Sequence, residues 1–418
     1  MVATDAVEEA SAATPNAAAV ALCCLINVFG GFAMVVLSFV APAIAAAWQL
    51  PLAALRPALG MGFLGMALGG LLVAPRADRV GRRTVILACL AVLGAATAAT
   101  GVVSGVGPLM VARLVAGIGI GGLLAVLTVA VAEHTTVRWR ILGIMTLHAG
   151  YPTGGVLAGT AASMLHRDVA WPVLFYAGAM ASLALLLAAL RWLPKAYKSA
   201  AWTHAGAPAR EAFPWGMDLL AATWRWQTIA IWTAFVLYSA TVYLVIVELP
   251  ALSVLRGMTG EQAAHVGALV NAGSIPGMVA LGLLTRWIAL RRLITAYLVS
   301  GALLLALFAA VPVYGYAPLV ASFLIGALVM AGFIGLYAVA SGLYPAHLRA
   351  TGVGWAVGIG RLGIVAGPLL SAALRLGHWP PAAAIAAVGL PVLCAALVVS
   401  WLATSVAGAP PDPPPLAS

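Results

Sequence analysis

Apolar stretches long enough to cross a lipid bilayer recur along the whole chain of 418 residues. About 20 helical residues span a hydrocarbon core of roughly 30 Å. Twelve stretches reach this length, at 17–46, 57–75, 84–105, 108–132, 141–164, 170–191, 227–252, 263–285, 293–312, 316–342, 350–373 and 381–404. Strands of a membrane barrel would alternate in polarity over roughly 10 residues, and no such alternation is present. The sequence therefore predicts an all-α membrane protein with twelve transmembrane helices.

The composition agrees with a lipid environment. Hydrophobic residues make up 64% of the chain and charged residues only 8%, whereas roughly a quarter of the residues of a soluble domain are charged. We expect the lipid bilayer to surround this chain, and the charge is too sparse for a water-exposed surface.

The net charge of +10 is distributed as a membrane topology signal, so we expect no nucleic acid partner. Four basic residues fall in alternate loops or flanks, and fifteen fall in the other set. The larger set contains Arg76, Arg79, Arg82, Arg83, Arg138, Arg140, Arg191, Lys195, Lys198, Arg210, Arg225, Arg286, Arg291, Arg292 and Arg349. Loops rich in Lys and Arg stay in the cytoplasm. We therefore predict a multi-pass protein of the inner (plasma) membrane with both termini cytoplasmic.

The spans divide into two groups of six around a polar linker at 192–225. We predict an N-terminal tail at 1–16, a first bundle at 17–191, a second bundle at 226–406 and a tail at 407–418. The last segment is rich in proline, which is typical of disorder. Both tails and the linker would lie in the cytoplasm.

Two pairs of loops repeat between these halves. RADRVGRR (76–83) corresponds to TRWIALRR (285–292), and EHTTVR (133–138) corresponds to YPAHLR (344–349), at nearly the same separation along the chain. Such a repeat predicts two pseudo-symmetric six-helix bundles in parallel orientation, with a substrate cavity between them near the middle of the membrane.

The loop at 74–83, Ala-Pro-Arg-Ala-Asp-Arg-Val-Gly-Arg-Arg, resembles the signature Gly-x-x-x-Asp-Arg-x-Gly-Arg-Arg of major facilitator transporters. The resemblance implies the major facilitator fold and a conformational gate formed by this loop and by charges after the fourth span. The implied gate residues are Asp78, Arg79, Gly81, Arg82, Arg83, Glu133 and Arg138.

Further segments resemble the aromatic acid/proton symporter branch of that superfamily. They are the eleventh span with its approach (343–370), GYPTGGVLAG (150–159) and the end of the first span (39–50). The resemblance implies inward symport of an aromatic or related carboxylate with protons. The chain departs from the branch at Gly30 and Ala33, because the branch has acidic residues at these two positions of the first span.

Ionisable side chains within spans are costly unless they are paired or hydrated, so they are functional candidates. Arg113 and Arg361 lie in the fourth and eleventh spans. A guanidinium can bind a substrate carboxylate through two hydrogen bonds. The alternative for Arg113 is an interface arginine or a helix-packing ion pair.

Two groups are candidates for proton coupling, namely Glu248 late in the seventh span and His148 in the fifth. Burial would raise the pKa of a carboxyl toward neutrality, and histidine titrates near neutral pH. The alternatives are a Glu248 in the headgroup layer and a His148 that only packs. His148, Tyr151, Tyr243, Asn271 and Tyr337 could also bind substrate through hydrogen bonds or ring stacking.

Motifs typical of nucleotide-binding or hydrolytic enzymes are absent from the sequence. We therefore expect a non-enzymatic secondary transporter, acting as a monomer without metal or cofactor, whose partners are a small organic anion and protons. Two alternatives stay open at this point. One is a proton-antiporting efflux pump, and the other is a ligand sensor on the same scaffold that no longer transports.

Overall fold

The computed structural model describes residues 16–164, 171–194, 217–221, 223–310, 312, 314–344, 348–377 and 379–407. All regular secondary structure within these ranges is helical, which confirms the predicted all-α membrane fold. The predicted tails at 1–16 and 407–418 and the linker at 192–225 fall largely outside the described residues, so their boundaries stay predictions.

Twelve long helices follow one another along the described chain, and we number them α1 to α12. They are α1 (Ala17–Ala47), α2 (Arg56–Leu68 with Gly69–Val73), α3 (Arg82–Val102), α4 (Val106–His134), α5 (Arg140–Ser163), α6 (Pro172–Trp192), α7 (Arg225–Tyr243, Leu244–Glu248 and Leu249–Leu255), α8 (Gly260–Leu284), α9 (Leu290–Ala310), α10 (Ala317–Leu343), α11 (Arg349–Leu376) and α12 (Pro381–Val388 with Leu390–Ala407).

Ten of these helices are long and apolar enough to cross a membrane. Helices α5 and α11 carry His148 and Arg361 among many glycines. Glycine and polar residues lower the hydropathy of a helix, and they are tolerated in a bundle where neighbouring helices cover them.

Helix α7 is interrupted by a π-helical turn at Leu244–Glu248. Pro250 follows this turn and explains it, because proline has no N–H to donate and its ring clashes with the carbonyl four residues earlier. The wider turn places Glu248 at the junction with the last segment of α7, where only 6% of its surface is exposed.

The first six helices pack mainly on one another, and so do the last six. The halves meet through α2, α4 and α5 on one side and α8, α10 and α11 on the other. Asp78, Glu133, Arg140 and Arg349 all lie at the same end of the bundle. We call this end the basic end, because the basic loops of the sequence lie there.

The contact between α2 and α11 is a close backbone approach near the basic end. A Cβ built on Gly354 would lie 2.4 Å from the carbonyl oxygen of Gly70, and one on Gly70 would lie 2.7 Å from the carbonyl oxygen of Gly354. Only glycine allows the helices to be this close, as small residues do generally in membrane bundles. The halves are thus packed tightly against each other at the basic end.

Candidate functional site

Arg113 on α4 is turned toward α1 in the interior of the bundle. Only 1% of its surface is exposed. Its guanidinium donates hydrogen bonds to the carbonyl oxygens of Ala33 (3.0 Å) and Met34 (3.1 Å), and it lies 3.7 Å from the sulfur of Met34. Backbone carbonyls satisfy donors but carry no formal charge, so the charge of Arg113 is hydrogen-bonded without being neutralised.

Gly30 and Gly31 lie one turn before this contact, and their surroundings differ. A Cβ on Gly31 would lie 2.0 Å from the carbonyl oxygen of Tyr151, so α1 and α5 are in direct backbone contact there. A Cβ on Gly30 would meet no atom within 4 Å, although Gly30 is buried. The structure therefore leaves an open space inside the bundle at Gly30.

Tyr151 on α5 lies within electrostatic range of the two arginines Arg113 and Arg361. Its hydroxyl interacts electrostatically with Arg361 on α11, with Tyr337 on α10 and with Arg113 on α4. The buried Nε of Arg361 has no hydrogen-bond partner in the described structure. Cations from both halves thus act on one phenol, and the buried Nε–H of Arg361 has no acceptor among the described residues.

Aromatic rings form a wall beside this group. The centroid of the His148 ring lies 4.4 Å from that of Tyr337, across the boundary between the halves. Phe235 and Phe333 pack edge-to-face on Tyr337 at 5.2 and 5.7 Å. His148 also shares a 2.9 Å hydrogen bond with the hydroxyl of Thr128. Offset and edge-to-face arrangements of this kind stabilise an added ring as well.

The other predicted site residues lie apart from this group. The side-chain amide of Asn271 is exposed and donates to the carbonyl of Gly267 in its own helix, at 3.0 Å. Tyr243 packs against Gly367 in the second half. Glu248 is buried, and neither Arg113 nor Arg361 forms an ion pair with it. Their predicted roles stay predictions.

A polar cluster joins the halves at the basic end. The carboxylate of Asp78 accepts hydrogen bonds from the backbone N–H groups of Ala350 (3.2 Å) and Thr351 (2.7 Å) and from the hydroxyl of Thr351 (2.8 Å). These N–H groups belong to the first turn of α11, where they lack partners within the helix and the helix dipole favours a negative charge. Asp78 therefore caps a helix of the opposite half.

Ion pairs extend this cluster. Arg82 lies 3.0 Å from Asp78 and 3.3 Å from Glu133, and Arg349 of the other half lies 3.8 Å from Glu133. We call Asp78, Arg82, Glu133, Arg349 and Thr351 the clasp. Burial raises the pKa of the Asp78 carboxyl above its ordinary value, while Arg82 and the donors of Thr351 and Ala350 act in the opposite direction.

Four further residues that the sequence predicts for the gate lie around the clasp. Gly81 adopts φ of 95°, a conformation that favours glycine, and it joins the short helix Arg76–Val80 to α3. Arg83 donates to the carbonyl of Leu190 at 2.7 Å. Arg138 is exposed over the Trp139 ring at 5.6 Å, and Arg79 is also exposed. The roles of Arg79 and Arg138 in gating stay predictions.

Comparison with known proteins decides the family. Residues 22–368 match the Major Facilitator Superfamily. The chain belongs to that superfamily.

Curated relatives cover nearly the whole chain. A gallate transporter of Pseudomonas putida is 31% identical over 90% of this chain and 90% of its own. A 3-(3-hydroxy-phenyl)propionate transporter of Escherichia coli is 31% identical over 84% of this chain and 85% of its own. A 4-hydroxybenzoate transporter of Acinetobacter baylyi is 27% identical over 91% of this chain and 90% of its own.

Solved structures of the same superfamily have this fold. The proton:xylose symporter XylE bound to 6-bromo-6-deoxy-D-glucose aligns with a TM-score of 0.70 at 15% identity, covering 92% of this chain and 95% of that one. The human organic anion transporter MFSD10 aligns with a TM-score of 0.70 at 18% identity, covering 92% and 99%. The protein is therefore a secondary transporter of the major facilitator superfamily and not an enzyme.

Some residues of this transporter's sites were not identified from the sequence. Thr351 and Arg349 complete the clasp from the second half, and Phe235 and Phe333 complete the aromatic wall. Asn27 is buried on α1 and donates to the carbonyl of Leu147 on α5 at 2.7 Å. An Asn within an apolar span can be seen in the sequence, and it could have indicated this polar contact between helices. The aromatic wall has no such signal, since Phe in a membrane helix is ordinary.

Proposed function

We propose that this transporter carries a small aromatic carboxylate into the cell across the inner membrane, together with protons, by alternating access. The observation that carries the proposal is the convergence of Arg113 and Arg361, from opposite halves, on Tyr151. The relatives support the substrate class, because gallate, 3-(3-hydroxy-phenyl)propionate and 4-hydroxybenzoate are all aromatic carboxylates.

The chemistry of the site suits such a ligand. A guanidinium binds a carboxylate through two parallel charge-assisted hydrogen bonds, and Arg361 has a buried N–H without a partner. The rings of His148 and Tyr337 lie across the boundary between the halves, where they can pack against an aromatic substrate. A ligand held by both halves can bias their relative positions, which is what alternating access requires.

The clasp supplies the other element of the cycle. We propose that the bundles at 17–191 and 226–406 move against each other about the central site, in a monomer, with 192–225 as their connection. The clasp and the Gly70–Gly354 approach hold the halves together at the basic end. Release of substrate toward the basic end requires that these contacts break.

Protons would be carried by His148 or Glu248. Both are buried, with 2% and 6% of their surface exposed. His148 contacts Tyr337 across the boundary between the halves, so its protonation would change the charge of the proposed substrate site directly. Glu248 would act at a distance from that site, through α7. We therefore rank His148 first for tests of coupling.

Uptake of labelled 4-hydroxybenzoate into proteoliposomes tests the proposal. We expect accumulation that requires an inward proton gradient. Arg361→Gln is expected to raise the KM by about ten- to a hundredfold, because a hydrogen bond to a charged group contributes about 1.5–3 kcal/mol. Arg361→Lys is the matched control, because it keeps the positive charge but lacks the planar guanidinium that binds both oxygens of a carboxylate. If the substrate only equilibrates across the membrane, transport is not coupled to protons and that part of the proposal is wrong. If no aromatic carboxylate is taken up, the proposed function is overturned.

A further inference from the structure

The acidic residues of the described chain lie away from the two central arginines. Asp78 and Glu133 belong to the clasp, Glu261 lies in the first turn of α8, and Asp218 lies in the short helix Met217–Leu220. The ion pairs among the described residues join Asp78 and Glu133 to Arg82 and Arg349, and none of them includes Arg113 or Arg361. The proposed substrate site therefore contains two permanent positive charges and, among the described residues, no carboxylate paired with either.

Such a site is electrostatically incomplete. A charged side chain inside a membrane protein is costly unless a partner or water compensates it, and removing one partner of a buried ion pair leaves a strongly unfavourable uncompensated charge. Arg113 has carbonyl oxygens as acceptors, and Arg361 keeps a buried Nε–H without an acceptor. A ligand with negative charge would compensate both arginines.

The open space at Gly30 lies on the face of α1 that reaches Arg113. Residues four apart in a helix lie on the same face, so Gly30 shares its face with Met34. The sulfur and the carbonyl oxygen of Met34 both contact the guanidinium of Arg113. A Cβ on Gly30 would meet nothing within 4 Å. There is consequently room on this face of α1, one turn from the contact with Arg113, for an anionic group that the protein itself does not supply.

We propose that this site selects aromatic acids with two negative charges, with one anionic group on Arg113 at the Gly30 space and the other on Arg361. The proposal rests on the proposed function and narrows its substrate class from carboxylates to aromatic dicarboxylates. Tyr151, which interacts with both arginines, donates its hydroxyl to the ligand between them. The ring of the ligand packs beside Tyr337 and His148.

Competition against labelled 4-hydroxybenzoate uptake tests the selectivity. The competitors are benzoate and the three isomers of benzenedicarboxylate, which share one ring and differ in the number and spacing of carboxylates. Both carboxyl groups of the isomers are ionised at neutral pH. We expect one isomer to inhibit at a concentration at least about tenfold lower than benzoate does, a factor that a second charge-assisted contact readily supplies.

The variant Gly30→Asp tests the location of the second anionic group. It places a carboxylate in the open space, where it takes the position of the second anionic group, so the preference for the dicarboxylate is expected to fall by about tenfold or more. Gly30→Asn is the matched control for volume, because it fills the same space without a charge, and the preference is expected to fall less than in Gly30→Asp.

The outcomes separate the two proposals. If benzoate competes as well as every dicarboxylate, the site takes a single negative charge, and this inference is wrong while the proposed function stands. If Gly30→Asp keeps the preference, the Gly30 space is not where the second anionic group binds, and the proposed location is overturned. If neither class of acid competes or is taken up, the proposed function falls together with the inference.

Discussion

At the scale of single residues, Arg113 binds to α1 without an ion pair, because α1 contains no acidic side chain. Ala33 and Met34 offer backbone oxygens and a thioether sulfur to the guanidinium, and no negative charge. The sequence identifies Arg113 as an arginine inside a span, which is a functional signal by itself. That its donors would point to α1 could not be predicted, because a long side chain has several rotamers that reach different helices.

Adjacent glycines on α1 provide a test at the same scale. Gly31→Ala is expected to lower the melting temperature of the purified transporter by several degrees, because its Cβ would lie 2.0 Å from a backbone oxygen of α5 and overpacking costs about 1–3 kcal/mol. Gly30→Ala is the matched control and should change the melting temperature little. Thermal unfolding in detergent measures both. Equal loss in the two variants would contradict the close approach of α1 and α5 at Gly31.

At the scale of secondary-structure elements, the two halves hold the basic end in different ways. In the first half, Asp78 caps the first turn of α11. At the corresponding position of the second half, the hydroxyl of Thr285 bonds to Gly282 within its own helix. Arg286 instead lies over the Trp139 ring at 4.6 Å. The sequence repeat predicts similar loops, but the loss of one carboxyl replaces a helix cap with a cation–π contact.

Removing the charge of Asp78 should therefore open the basic end. Asp78→Asn keeps the shape of the side chain but loses the ion pair with Arg82, and breaking a buried pair costs about 3–5 kcal/mol. Val80 and Ile288 are exposed on opposite halves. Spin labels at these two positions, in a cysteine-free background, report the distance between the halves by pulsed electron paramagnetic resonance. We expect the fraction of molecules with widely separated labels to grow at least about tenfold in Asp78→Asn.

Trp139→Ala tests the cation–π contact between Arg286 and Trp139 in the same way. Cation–π contacts at exposed sites contribute about 0.5–1 kcal/mol, so the same label pair should show a smaller change than Asp78→Asn produces. A larger change in Trp139→Ala would mean that α5 and α8, and not the clasp, control the basic end.

At the scale of the whole molecule, the number and order of the helices could be read from the sequence. The predicted spans at 84–105 and 350–373 correspond to helices Arg82–Val102 and Arg349–Leu376, because the length of an apolar run and the membrane thickness fix the ends together. The contacts between halves could not be read in this way. Arg349 meets Glu133 across more than 200 positions of sequence, and one chain contains no local signal for such a pairing.

The orientation of the whole molecule follows from its charge. The loops at the basic end are rich in arginine, and such loops are retained in the cytoplasm. We therefore expect a cysteine at Tyr314, which is 76% exposed between α9 and α10, to react with a membrane-impermeant maleimide in intact cells. A cysteine at Val137, 69% exposed between α4 and α5, should react only after the membrane is made permeable. Labelling of Val137→Cys in intact cells would place the basic end outside. The clasp would then close the opposite entrance, and substrate released through it would leave the cell, which is the direction of efflux.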